Sequence, residues 1–269
     1  MIWKPKKILE FNEEWGERVF NEYSEWMAFL NSQFKVPGEY HLRDTHLWTE
    51  RAAFFLEHKR YTHDHPKSNE YKEFWLTERR KCKDGIIVRG QYVPPDIYFF
   101  INYCSIYDKV KGIFTFPEVW DSHLHYALYL ELAWYSNLNT VSVKARQKGI
   151  SLFHCARMVK RLWFEKGAKL KILGYEESYV QDEWKICEHY RDHLNEHTGW
   201  YRNFSPNENL NWVQRREQIE GSVDKRKVTK GNKSSLSGAS TKQNLTRAVG
   251  GAALEIYVTE AGVNPQLKK

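Results

Sequence analysis

The residues best placed to do chemistry fall in two short segments. Lys144-Ala145-Arg146-Gln147-Lys148-Gly149-Ile150-Ser151 combines three cations, a glycine and a hydroxyl. Between a strand and a helix, such a run forms a phosphate-binding loop. Backbone N–H groups and the helix N-terminus then cradle phosphate oxygens. The usual pattern, G-x-x-x-x-G-K-[ST], is met in part. Lys144 stands at the first glycine, Gly149 at the second, Ile150 at the lysine and Ser151 at the hydroxyl that ligates Mg²⁺. A basic turn capped by Gly149 fits the same residues. The second segment is Leu254-Glu255-Ile256-Tyr257-Val258-Thr259-Glu260. Many nucleotide hydrolases end an apolar strand with Asp-Glu; the Asp orients the metal shell and the Glu polarises the attacking water. Here Thr259 takes the Asp position and Glu260 keeps the Glu.

Both segments need a parallel α/β frame to meet. A strand over Thr140 to Val143, the loop, a helix over Ser151 to Glu165 and a strand over Lys169 to Leu173 are expected in turn. A helix then runs to about Asn195. Asn211 to Val213 and Ser235 to Ser237 are weaker strand candidates, and Ala252 to Val258 is the last apolar run. Strands alternating with helices predict a mostly parallel sheet over 111–269. Residues 1–110 read as mainly helical. Trp15, Val19, Tyr23, Met27 and Leu30 recur at helical steps, and helices follow at Thr45 to His58 and Tyr71 to Arg80. Asp84-Gly85 and Arg89-Gly90 punctuate a hairpin of Ile86 to Val88 with Tyr92-Val93. Between Asp224 and Arg247 the chain is rich in Lys, Arg, Ser, Gly and Thr, which reads as a flexible surface loop or as a phosphate- or subunit-contacting one.

Composition narrows the classes. A chain of 269 residues with 41% hydrophobic and 28% charged residues can bury a full core, which excludes collagenous, coiled-coil and wholly disordered proteins. The net charge of +7 suits an anionic partner such as nucleic acid or nucleotide. Cys82, Cys104, Cys155 and Cys187 make no CxxC pair, so neither a zinc knuckle nor a disulfide framework is expected. His189, His193 and His197 share a helix face, which reads as a solvated or half-buried face before a zinc site. The charged start carries no signal peptide, and the longest apolar stretch, His125 to Trp134, is too short to span a bilayer. A soluble, cytosolic protein is expected.

With these residues in place, the sequence resembles the ATPase part of the large terminase subunit, the DNA-packaging motor of tailed bacteriophages. The likeness rests on Arg146-Gln147-Lys148-Gly149-Ile150-Ser151, on Glu260-Ala261-Gly262, on Ser235 to Thr241 with Arg247-Ala248-Val249-Gly250, and on the aromatic segments Tyr98 to Tyr103 and Phe114 to Asp121. It covers roughly 95–269. The resemblance implies a P-loop NTPase core behind a mainly helical N-terminal region, truncated C-terminally and without the family's nuclease domain. It implies ATP and Mg²⁺ as cofactors. Residues 144 to 151 would bind nucleotide, with Lys144 replacing the missing lysine on the β/γ-phosphates and Arg146 contacting or sensing the γ-phosphate. Ser151 and Thr259 would serve the metal and Glu260 the water. Phe114 to Asp121 resembles the adenine side. The implied partners are double-stranded DNA, the portal, the small terminase subunit and further copies in a ring, in the cytoplasm of an infected bacterium. A helicase-like ATPase, or a non-catalytic basic DNA-binding or scaffold protein, are the alternatives.

Overall fold

The computed structural model describes residues 6–11, 16–20, 22–33, 42–108, 110–142, 148–202, 204–205, 211–214, 216–218, 227–229, 232–242 and 253–260. The chain divides into two compact units. Residues 1–153 with 197–199 form the first, and 154–196 with 200–269 the second.

The first unit contains β1 (Lys6–Phe11), β2 (Gly16–Phe20), α1 (Tyr23–Ser32), α2 (Thr45–Trp48), α3 (Glu50–His58), α4 (Asn69–Asp84), β3 (Ile86–Val88), β4 (Gln91–Val93), α5 (Pro95–Tyr103), β5 (Ile106–Asp108), β6 (Ile113–Thr115) and α6 (Asp121–Tyr135). It is largely helical, and it also holds a four-stranded sheet of order β2-β1-β3-β4. The helix expected from Trp15 begins only at Tyr23, and Val19 lies in β2 opposite Lys7. A spacing of four is even, so Trp15, Val19 and Tyr23 satisfy the two-residue period of a strand as well as a helix.

Local chemistry sets the ends of α4. Ser68 Oγ accepts from the Tyr71 N–H at 3.1 Å, and Gly85 closes the helix at φ 77°. A Cβ at Gly85 would lie 2.6 Å from the Val93 carbonyl oxygen, so only glycine lets the β3–β4 hairpin fold back there. Helix α5 starts with Pro95 in its first turn, and all nine of its residues are buried. Tyr61 packs on Tyr103, and Asn102 donates to the Trp48 carbonyl at 2.7 Å; Trp26, Tyr92, Phe99 and Phe100 are buried as well, with Trp26 against Tyr92. Glu78 is a carboxylate of this core. Glu78 Oε1 lies 2.8 Å from Lys81 Nζ, and Oε2 accepts from the Tyr98 and Tyr103 hydroxyls, each at 2.6 Å. Burial pushes its pKa up, but Lys81 and these hydrogen bonds outweigh burial and hold it below its ordinary value.

Helix α7 (Ile150–Phe164) spans the division. The second unit continues with β7 (Lys169–Gly174), α8 (Glu177–His197), β8 (Phe204–Ser205), β9 (Asn211–Gln214), β10 (Arg216–Gln218), β11 (Lys227–Thr229), β12 (Ser235–Ser240) and β13 (Glu255–Val258). Its main sheet has the order β13-β7-β12-β9-β8. Strands β13, β7 and β12 are mutually parallel, whereas β9 and β8 join antiparallel. The fold class is therefore mixed α/β, with a parallel part of three strands.

The weaker strand candidate Ser235 to Ser237, inside the basic stretch otherwise read as a loop, forms the start of β12, which lies between β7 and β9. Leu236 alone gives it a large apolar side chain, and it is fully buried. The neighbouring hydroxyls are used locally, with Ser240 Oγ donating to the Tyr175 carbonyl at 2.7 Å. Residues 225–226 and 243–247 of the basic stretch lie outside the described residues.

Candidate functional site

Of the proposed phosphate loop, Lys144, Ala145, Arg146 and Gln147 lie outside the described residues, while Lys148, Gly149, Ile150 and Ser151 are placed. The strand expected over Thr140 to Val143 is not formed by 140–142; Val143 is outside the described residues. Val141 is 85% exposed and Leu138 66%. With nothing packed on these side chains, their β propensity has no face to bury. The Ser142 hydroxyl donates instead to the Tyr126 hydroxyl at 2.8 Å.

The helix side of the loop is well defined. Gly149 takes φ +68°, and its carbonyl accepts from the Phe153 N–H at 3.0 Å, which makes it the residue that opens α7. Ile150 and Ser151 form the first turn, where helical N–H groups lack intrahelical acceptors. The turn is braced by His123 at the start of α6. Its Nδ1 accepts from the Trp120 N–H at 3.2 Å, so the proton sits on Nε2, which donates to the Lys148 carbonyl at 2.8 Å. A Cβ at Gly149 would approach this Nε2 to 3.2 Å. Burial lowers the His123 pKa, partly opposed by the bond to Lys148, which favours the neutral ring that this geometry requires. Trp120 stacks on His123 at 5.5 Å, and Lys148 Nζ lies 5.5 Å from the Trp120 ring centre. The Lys148 ammonium is thus turned onto an aromatic face.

In the second unit, β13 runs beside β7 with Glu255 opposite Leu170 and Val258 opposite Leu173. Helix α7 packs along it. Arg157 Nε and Arg161 Nη1 each lie 2.8 Å from a Glu255 carboxylate oxygen. His154 stacks on Tyr257 with centroids 4.3 Å apart and planes within 8°. Descending the helix from Arg161 to His154 ascends the strand from Glu255 to Tyr257, so α7 is antiparallel to β13. Beyond the strand, the Thr259 N–H donates to the Leu173 carbonyl at 2.8 Å. The buried Thr259 hydroxyl donates to Glu183 Oε1 at 3.0 Å. The other Glu183 oxygen accepts from the Cys155 thiol at 3.0 Å. Burial first, then Cys187 and Glu183, push the Cys155 pKa well up, so the thiol keeps its proton. Glu260 follows, exposed, at φ +50°.

Two residues missed in the sequence thus stand behind those that were found. His123 lies on the buried face of α6 with Leu124 and Ala127. Glu183 lies on the buried face of α8 with Val180, Trp184 and Cys187. A carboxylate at three- and four-residue steps from apolar neighbours is a signal that periodicity could have shown. The four cysteines are buried and form no disulfide with one another. Among the described residues no three His, Cys, Asp or Glu side chains are placed to hold a metal ion, and His193 is buried in the α8 face. No described helix is long and apolar enough to cross a membrane. In the first unit a cavity of about 410 Å³ is lined by Ala52, Leu56, Ile101 and Thr115 to Val119, the last from the segment likened to an adenine side. No family model matches the chain, and comparison with curated proteins finds no match.

Proposed function

We propose that the chain is the ATP-hydrolysing part of a DNA-packaging motor of the large-terminase type, built on a P-loop core. The observation that carries this reading is Gly149 in a left-handed conformation opening a helix that runs antiparallel to the parallel strand ending at Thr259-Glu260. Within the second unit, the body of α7 from His154 onward runs antiparallel to the strand that leads to Glu260, the helix–strand polarity of a parallel α/β core.

The donor set suits an anion: a glycine free of Cβ, first-turn N–H groups and a basic loop. Bound magnesium would neutralise phosphate charge. Ser151 supplies its hydroxyl there, while Thr259 engages Glu183 and belongs to the surroundings of the metal. Lys144 serves the β/γ-phosphates, Arg146 contacts or senses the γ-phosphate, and Glu260 orients the attacking water. Lys148 is the lesser cation, because its ammonium already faces Trp120. Double-stranded DNA, the portal, the small subunit and ring neighbours are its partners, in the infected host's cytoplasm.

Fluorescent-ATP binding and steady-state ATPase assays test this. Lys144→Ala abolishes turnover, Glu260→Gln abolishes turnover but keeps binding, and Lys148→Ala reduces turnover much less. Losing a charged phosphate contact costs about 2–4 kcal/mol, or roughly 30- to 1000-fold in rate. Full activity of Lys144→Ala would remove its role, and absence of ATP binding would remove the reading. A non-catalytic basic DNA-binding scaffold is the second reading. It is favoured by the lack of a strand over 140–142 and by β13 pairing, among the described residues, with β7 alone.

A further inference from the structure

We propose that Glu183 is a positioning residue for hydrolysis, acting through Thr259 to aim Glu260; this rests on the ATPase reading above. Glu183 is 6% exposed, and no Lys, Arg or His among the described residues pairs with it. A carboxylate placed in an interior without a cation is poorly explained by stability alone. Its two oxygens accept from Cys155 on α7 and from Thr259 at the exit of β13.

Thr259 is held from three sides. Its N–H is bound to Leu173 on β7, and its hydroxyl is bound to Glu183 on α8. Its methyl faces Gly174, where an added Cβ would come within 3.3 Å of it and 3.0 Å of Val180. A residue so seated fixes the direction in which the chain continues. The next residue is Glu260, at φ +50°, a conformation that non-glycine residues adopt at a cost. Where the resembling family carries an Asp on the strand, this chain carries Thr259 with a carboxylate one hydrogen bond behind it. The pair supplies from α8 the negative group that the strand lacks.

The test compares Thr259→Val, which keeps shape and loses the hydroxyl, with Thr259→Ser, which keeps the hydroxyl. ATPase kcat and KM and the Kd of a fluorescent ATP analogue are measured for each on the whole protein. Thr259→Val is expected to lower kcat at least tenfold, with KM and Kd within twofold, and Thr259→Ser to hold kcat within threefold. A kcat of Thr259→Val within twofold of wild type overturns the proposal. So does a parallel loss of nucleotide binding, which marks structural damage and not aim. If Thr259→Val does not fold, Glu183→Met, which fills the volume without an acceptor, carries the same expectation and the same overturning results. Wild-type protein that binds no nucleotide removes the ATPase reading itself; wild-type turnover with an unaffected Thr259→Val removes only the role of Glu183.

Discussion

His123 joins two elements through one ring. Its Nδ1 is an acceptor for Trp120 and its Nε2–H a donor to Lys148, so only the neutral tautomer satisfies both bonds. Protonation would put a second N–H against the Trp120 N–H. Because burial lowers the folded pKa, the unfolded chain binds more protons at this position as pH falls. The stabilising contribution is therefore complete above the unfolded value of about 6.5. It declines as pH falls through that value and levels off below the lowered folded value. Urea titrations of wild type and His123→Gln from pH 7.5 to 5 should show it. The wild type is more stable at pH 7.5, and the gap narrows toward pH 5, with a slope of at most about 1.4 kcal/mol per pH unit for one proton. A gap that widens on acidification would show that the ring is held charged. Such a brace is invisible in sequence, since nothing local marks that His123 meets the loop 25 residues on.

Among elements, α7 and β13 depend on each other. Glu255 stands at the first position of an edge-placed strand and answers two arginines, Arg157 and Arg161, whose side chains are 6% and 5% exposed. Removing the carboxylate takes an anion from between two nearly dry cations, although Arg161 Nε keeps Glu165 Oε1 at 3.5 Å, and a broken buried pair costs about 3–5 kcal/mol. Glu255→Ala should thus lower the melting temperature sharply. Replacing Lys185, whose side chain is 73% exposed, by Ala should change it little. An unchanged melting temperature in Glu255→Ala would show that the stacking of His154 on Tyr257 suffices. Elements with local signals were legible: the β3–β4 hairpin from its Gly turns, α4 over Tyr71 to Arg80, and β7 and α8 from their periods. Strand β13 was legible as an apolar run. Strands β1 and β2 were not, because β1 pairs with β3, far along the chain, and an even spacing mimics a helix. Strand β12 was legible only over Ser235 to Ser237, because its serines give a weak signal that a doubly paired backbone tolerates. Val141 misled for the opposite reason, a β-forming residue left in solvent.

At the scale of the whole molecule, the two functional readings differ in coupling and not in charge. A net charge of +7 serves a motor and a scaffold equally, since phosphate contacts release counterions whatever the protein does next. Each neutralised phosphate steepens the fall of log K with log salt by about 0.9. Replacing Lys225, Arg226 and Lys227 by Ala should therefore flatten that slope by up to about 2.7 if all three touch DNA. An unchanged slope would make this segment a spacer between β10 and β12. A motor, unlike a scaffold, must also bind DNA with different affinity in its nucleotide states. That difference is a coupling free energy, and linkage makes it reciprocal: DNA must shift nucleotide affinity by the same factor. Typical couplings of about 1–3 kcal/mol correspond to roughly 5- to 150-fold. A non-hydrolysable ATP analogue should thus change the Kd for duplex DNA at least fivefold at fixed salt, and duplex DNA should change the Kd of the analogue by the same ratio. Lys144→Ala should abolish both shifts while leaving nucleotide-free DNA binding nearly intact. Equal DNA affinity with and without the analogue, in protein shown to bind it, would decide for the scaffold.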